Sequence, residues 1–378
     1  MRRSFAAGLA ALTLLLLAGC GGSKASPSEV PEQPSEEPAP PEPTAEELAA
    51  REIETILSSL TLEEKVGQLF FVRCPAEHAI EDIGTYHLGG YLLFGRDYQD
   101  AAGSWLTEEQ FVQTITAYQD AALADTGIPL LIGSDEEGGT VTRASRNPNL
   151  FSSPFRSPQQ IAAEAGGRGE AFAEDALEKS NGLKNLGINV NLSPVADVST
   201  EPKDFIYDRT LGQDAQSTAD YVASVVAAVR EAGGMGSVLK HFPGYGNNVD
   251  THTGIAVDQR SLESFFSSDF LPFQAGIRAG GGTAAVLVSH NIMTAVDETL
   301  PSSLSPAVHQ LLREDLGFDG VVMTDDLAMD AVAAYAQDGA VAVLALEAGN
   351  DLIITTDYRT QIPKVMQALE AGELEESV

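Results

Sequence analysis

Cysteine is nearly absent from this chain: Cys20 and Cys74 are the two in 378 residues. No disulfide framework can hold the fold, and with no C-x-x-C pair no cysteine-based zinc site is expected. Any metal would need histidine and carboxylate ligands. Basic charge is also scarce, with 22 Lys and Arg against 55 Asp and Glu, a formal net charge of −33 and a pI near 4.3. A surface of that sign argues against nucleic acid as a partner. No G-x-G-x-x-G opens the first apolar unit, which weighs against dinucleotide binding. What the chain does have is apolar residues, 43% of the total, enough for one large core or two ordinary ones.

The first 44 residues read as address and spacer. Arg2 and Arg3 precede a short apolar run at 9–18 and then Cys20, the layout of a targeting segment over 1–20. That run is too short to span a bilayer. The sequence L-A-G-C at 17–20 resembles the bacterial lipoprotein signal, which implies lipid attachment at Cys20 and a place on the outer face of the cell membrane. Several acyl chains on one residue anchor stably where one does not. Residues 21–44 alternate Pro with Ser and Glu, Pro40 and Pro41 adjoining, without apolar periodicity. Such a segment buries too little to fold and extends by at most about 3.1 Å per residue. The expected domain is 45–378.

From there the texture is helical, then alternating. Leu48, Ile53, Ile56, Leu57 and Leu60 suit one helix face, and Thr61 with Glu64 has capping-box spacing. Strands are expected near 67–72, 90–94, 129–134, 188–192, 236–240, 284–289, 320–324 and 351–355. Helices are expected near 107–125, 158–186, 215–232, 262–279, 305–316, 326–348 and 360–371. The helix at 215–232 is the clearest, with a stripe of Tyr221, Val222, Val225, Val226 and Val229 and Gly233 to end it. The strands are β-rich without polar alternation, as parallel strands covered on both faces are. Eight βα cycles predict an α/β chain folded as a (β/α)8 TIM-type barrel. The final residues fall within an incomplete closing segment, which leaves a further C-terminal region open.

A barrel carries its chemistry just after its strands. Asp135 and Glu136 follow the third strand, Asn191 and Asp197 the fourth, with Arg209 on the same long loop. Lys240 and His241 end the fifth, Asp250 and His252 lie beyond it, His290 ends the sixth, and Asp325 and Asp326 end the seventh. The stretch K-H-F-P-G-Y-G-N-N-V-D-T-H at 240–252 gathers a cation, two imidazoles and a carboxylate on one loop. Asp250 and His252 are two apart, so in extended chain they share a side. A carboxylate there can orient the imidazole for proton transfer. Paired groups across a concave site suit glycoside hydrolysis, with Asp325 as nucleophile. Structural roles stay open: Asp325 or Asp326 as caps of a helix near Leu327, Asp135 as a turn acid beside Gly138, Arg209 paired locally with Asp208, and His290 as a satisfied core-margin histidine.

The motif at 240–252 resembles the signature of the glycoside hydrolase family 3 β-N-acetylhexosaminidases. So do T-L-E-E-K-V-G-Q-L-F at 61–70, D-E-E-G-G-T-V-T-R at 135–143 and N-L-S-P-V-A-D-V at 191–198. D-R-T-L-G at 208–212 and V-M-T-D-D-L-A-M at 322–329 complete the set, in family order. The resemblance implies Asp325 as nucleophile, His252 as acid/base and Asp250 as its partner. It implies Lys240, His241, Arg209 and Asp135 as contacts to the sugar, with no metal or organic cofactor. The chain departs at Thr140, where the family usually has Arg, at Tyr245, where it has His, and in a loop one residue shorter before Asp250.

The expected activity is a retaining exo-β-N-acetylglucosaminidase acting, through a glycosyl-enzyme intermediate, on peptidoglycan-derived or related amino-sugar oligosaccharides. The expected partners are such a carbohydrate and a membrane, through the lipid anchor. Two other classes stay in view. One is a metal-dependent barrel hydrolase built on His241, His252, His290 and Asp325; the other is a non-catalytic sugar-binding lipoprotein.

Overall fold

Short apolar strands separated by helices can bury both of their faces only inside a ring or a double-wound sheet, and this chain forms the ring. The computed structural model describes residues 43–166, 169–250, 254–333, 335 and 340–377. Cys20 and nearly all of the spacer lie outside them. By its contacts the chain falls into two units, Met1–Glu52 and Ile53–Val378. The described part of the first is the opening of helix α1 (Ala45–Ser59).

In the second unit α2 (Leu62–Gln68) precedes β1 (Phe70–Arg73), then α3 (Ala79–Tyr86) and β2 (Gly90–Leu93). Next come α4 (Glu108–Asp125), β3 (Leu131–Ser134), α5 (Pro158–Ala165), α6 (Glu170–Asn185), β4 (Val190–Asn191), α7 (Ala215–Ala232) and β5 (Gly236–Phe242). The second half holds β6 (Val257–Asp258), α8 (Leu262–Ser267), α9 (Phe270–Gly280), β7 (Ala284–Val288) and β8 (Ile292–Met293). It ends with α10 (Pro306–Gln310), β9 (Val322–Thr324), α11 (Asp330–Ala333), α12 (Val341–Ala348), β10 (Ile353–Thr355) and α13 (Tyr358–Ala371).

Eight parallel strands run in the order β10-β1-β2-β3-β4-β5-β7-β9. The ring closes where Met323 bridges Leu352, with Leu352 N–H donating to Val322 O at 3.1 Å. The expected (β/α)8 barrel is therefore the observed one. Phe71, Leu92, Val190, Leu192, Val238, Leu287, Met323, Leu352 and Ile354 fill its interior, as a packed core rather than a pore. Phe71 fits because Gly90 and Gly133 flank its ring; a Cβ on Gly133 would stand 2.3 Å from Phe71 Cζ. Two larger apolar clusters lie between the strands and the helices.

Local sequence explains most boundaries. Thr61 and Glu64 form the expected capping box, with Thr61 N–H donating to Glu64 Oε2 at 2.7 Å. The expected single helix at 158–186 is two, because Gly166 takes a left-handed φ of 58° and ends α5. The one at 262–279 breaks between α8 and α9, where Asp269 turns to Arg260. The stretch expected as a helix from 326 begins only at Asp330. Helix α3 lacked a strong apolar stripe and is an element that pattern reading did not supply.

Candidate active site

The C-terminal ends of the strands enclose a cavity of about 330 Å³ lined by Asp135, Arg209, Lys240, His241 and Asp325, among others. Five of the sequence-predicted site residues thus share one opening. Asp250 is half-buried on the loop after β5 and is not in that wall. His252 lies outside the described residues.

Residues 135–137 leave β3 in extended form, so their carboxylates alternate in direction. Asp135 faces inward, Oδ1 accepting from Lys240 Nζ at 2.7 Å, with Arg143 Nη2 3.6 Å from Oδ2. Glu136, a candidate by position, faces away. It is buried and accepts from Arg143 N–H at 2.7 Å, from Ser145 Oγ at 2.8 Å and from Ala144 N–H, anchoring the following loop. Glu137 faces inward again and was missed from sequence, although the period-two spacing from Asp135 would have found it. Its Oε1 meets Lys240 Nζ and Arg209 Nη2, each at 2.7 Å, and its Oε2 accepts from Arg209 Nε at 2.9 Å. Asn191, at the end of β4, clamps this segment by exchanging hydrogen bonds with the Glu136 backbone at 3.0 and 3.2 Å.

Burial alone would raise the Glu137 carboxyl; the Arg209 and Lys240 charges outweigh it and hold the group well below the usual carboxylate range. Burial likewise pulls the Lys240 ammonium down, but Asp135 and Glu137 leave it raised. Both cations are thus locked in their charged form. Arg209 pairs with Glu137 rather than locally with Asp208, and Asp135 is no mere turn acid.

His241 ends β5, where the ladder to β7 shifts register between Leu239 and Phe242. The Lys240–His241 peptide bond is cis. Asp197 Oδ2 accepts from His241 Nδ1 at 2.7 Å and from its backbone N–H at 3.1 Å. Asp197 Oδ1 takes the Tyr245 N–H at 2.7 Å. With Nδ1–H donating, His241 Nε2 accepts from Arg209 Nη2 at 3.0 Å. That lone pair is committed to a guanidinium rather than presented to a metal. Tyr245, at the family's histidine position, is buried with its ring edge-on to His241, centroids 5.2 Å apart.

Behind the loop, Arg260 Nη1 donates to both oxygens of Asp269 at 2.9 and 2.8 Å and its Nη2 to Gly244 O at 3.1 Å. Asp258 receives Arg260 Nη2 and Asn248 Nδ2 at 2.7 and 2.6 Å. Burial pushes the Asp269 carboxyl up to about 6 despite Arg260.

Asp325 follows β9, half-buried on the cavity rim, its N–H donating to Val288 O at 3.0 Å. Its Oδ1 accepts the Asp326 N–H at 2.8 Å. Asp326 braces the loop after β10, accepting from Thr356 Oγ1 at 2.6 Å and Thr356 N–H at 3.0 Å. With no helix starting at Leu327, neither acid is a helix cap. His290 is buried, with Nδ1 2.7 Å from Ser303 Oγ and Nε2 3.1 Å from Asp326 O. Among the described residues no three His, Cys, Asp or Glu side chains cluster so as to hold a metal ion.

Comparison with known proteins adds to this geometry. The profile described as the glycosyl hydrolase family 3 N-terminal domain matches residues 61–378. A β-hexosaminidase of Thiobacillus denitrificans is 33% identical over 287 residues, 75% of each chain. β-Hexosaminidase LpqI of Mycobacterium tuberculosis is 30% identical over 332 residues, 83% of this chain and 79% of that one. A solved family 3 β-N-acetylglucosaminidase from Paenibacillus sp. superposes with a TM-score of 0.74 at 30% identity, over 84% of this chain. This chain spans 60% of that solved chain.

Proposed function

This chain belongs to glycoside hydrolase family 3 and is a glycoside hydrolase, and from that premise we propose that it is a retaining exo-β-N-acetylglucosaminidase. The observation that carries the reading is the placement of Asp325 on the rim of a cavity whose opposite wall is a fixed network of hydrogen-bonding ions. The relatives named as β-hexosaminidases support the substrate class.

In this reading Asp325 attacks the anomeric carbon, and the bond to the leaving oxygen breaks as His252, oriented by Asp250, supplies its proton. Water, deprotonated by the same imidazole, then releases the sugar. Lys240, Arg209, Asp135 and His241 hold the ring hydroxyls. Lys240 and Arg209 are already fixed by Glu137, so binding spends little on ordering them. Peptidoglycan-derived saccharides are the proposed natural substrates, and Cys20 the proposed lipid-bearing residue, on the strength of the signal-like segment before it. Among the described residues no helix is long and apolar enough to cross a membrane.

Four measurements test this. Asp325→Asn should lower release of a chromogenic group from a β-GlcNAc glycoside by about three orders of magnitude or more, with Tm unchanged; full activity would remove Asp325 from the chemistry. Digestion of purified muropeptides and chitobiose should release GlcNAc first as the β-anomer, α-first release excluding retention. Cys20→Ala should move the protein from the membrane to the soluble fraction. Loss of activity on chelation, restored by a divalent cation, would favour the metal-dependent alternative.

A further inference from the structure

The loop that leaves β5 and carries Asp250 rests on an ion cluster centred on Arg260, whose guanidinium has every N–H engaged. Nη1 donates to both oxygens of Asp269, at 2.9 and 2.8 Å. Nη2 divides between Asp258 Oδ2 at 2.7 Å and Gly244 O at 3.1 Å, and Nε meets both Asp258 oxygens at 3.1 and 3.0 Å. Phe265 covers one face of the plane, its ring centroid 4.3 Å from the guanidinium carbon. The two carboxylates are buried and belong to firm elements: Asp258 is in β6, paired with β8, and Asp269 stands just before α9.

The loop meets this cluster with its backbone. Gly246 has a left-handed φ of 52°, and a Cβ there would stand 2.6 Å from Arg260 Cζ. A Cβ on Gly244, at φ 120°, would stand 2.5 Å from Asp269 Oδ1. Asn248 adds a second tie, its Nδ2 donating to Asp258 Oδ2 at 2.6 Å and to Tyr245 O at 2.9 Å. Asp250 follows two residues later. Burying ions adds little stability that apolar packing of like volume would not; what a fully engaged guanidinium supplies is a fixed geometry. Arg260, Asp258 and Asp269 are not among the described residues that line the cavity, so Arg260 acts on the reaction through the loop rather than on the sugar.

We propose that Arg260 is a positioning residue of the reaction: it fixes residues 244–248 and thereby the place of Asp250, the partner of the proton donor. This rests on the reading of Asp250 and His252 as the acid/base pair. Proton donation tolerates little misplacement, a shift of about 1 Å costing about a hundredfold, and it matters most where the leaving group is poor.

The test measures kcat/KM, which reports formation of the glycosyl-enzyme, for Arg260→Met on two substrates. With chitobiose, whose departing sugar needs a proton, it should fall about a hundredfold. With a dinitrophenyl β-GlcNAc glycoside it should fall by less than about threefold. Equal losses on the two would mark a purely structural role and overturn the proposal. In a His252→Ala background, Arg260→Met should add less than about threefold on chitobiose; losses that multiply also overturn it. Arg260→Lys keeps the charge, but a single ammonium cannot meet Asp258, Asp269 and Gly244 O together, so it should show the same split. Full activity in Arg260→Lys would reduce the role to charge and overturn the proposal. Should Arg260→Met fail to fold, Asn248→Ala, which leaves the ion cluster whole, must show the split. Hydrogen exchange reads the loop without any substrate. In Arg260→Met the Tyr245 and Asn248 amides should exchange about tenfold faster or more, with β5 unchanged; unaltered loop rates overturn the proposal. If the wild type cleaves neither substrate, or His252→Ala shows no split, the acid/base reading fails. The exchange rates then decide alone whether Arg260 holds the loop.

Discussion

Replacing Glu137 by Gln tests whether the cavity wall is held by charge. Glu137 is 2% exposed and meets the buried Lys240 and the half-buried Arg209, each at 2.7 Å. Glutamine keeps one acceptor oxygen but removes the charge, leaving Lys240 with Asp135, and Arg209 with no carboxylate in contact among the described residues. Breaking a buried ion pair by removing one partner costs about 3–5 kcal/mol; the retained oxygen places this change near the lower end. For a folded unit of this size that is a fall in Tm of about 5 °C.

The pH dependence gives an independent signature. The Glu137 carboxyl is held below its ordinary value of 4.5, so its stabilising effect is complete above 4.5 and is lost as pH falls toward its folded-state value. The stability gap between wild type and variant should stay constant from pH 7 to about 4.5, then narrow by about 1.4 kcal/mol per pH unit. Calorimetric unfolding from pH 3 to 7 at fixed ionic strength reads both effects. A Tm within 1 °C of wild type at pH 7, or a gap that widens in acid, would refute the reasoning.

Three further outcomes are expected. Asp269, pushed up to about 6 from 3.8 by burial, contributes stability that is complete below 3.8 and lost as pH rises through 6. Asp269→Asn should therefore flatten the fall in Tm between pH 4 and 7, and parallel profiles would contradict this. Gly133→Ala forces a methyl group against Phe71 and should cost about 1–3 kcal/mol in denaturant unfolding. Phe71→Leu should restore part of that loss; a neutral Gly133→Ala would show that the barrel interior is looser than its packing indicates. His252→Ala should lower cleavage of natural disaccharides far more than that of aryl glycosides with acidic leaving groups, which need little protonation. Equal losses would remove His252 from the proton-donor role.

Periodicity alone placed the eight strands within a few residues and Gly233 at the end of α7, because apolar alternation and helix caps are local properties of the chain. The same local signals misplaced helix breaks at Gly166, Asp269 and Asp326. In two of those places a side chain serves a partner outside its own helix, Asp269 reaching Arg260 and Asp326 reaching Thr356. The order of strands and the rule that chemistry follows them were enough to expect Asp135, Lys240 and Asp325 at one mouth. Whether Asp135 or Glu136 faced that mouth was open, since a single residue of offset turns a side chain to the other surface of an extended segment.

Sequence by itself determined the ring of βα units, the acidic character of the chain and the family to which its motifs are similar. Only the tertiary structure decided which charges meet. Glu137 finds Lys240 more than a hundred positions away, and Asp197 finds His241. Pairing between residues far apart in the chain depends on how the barrel closes, and no local pattern records that closure.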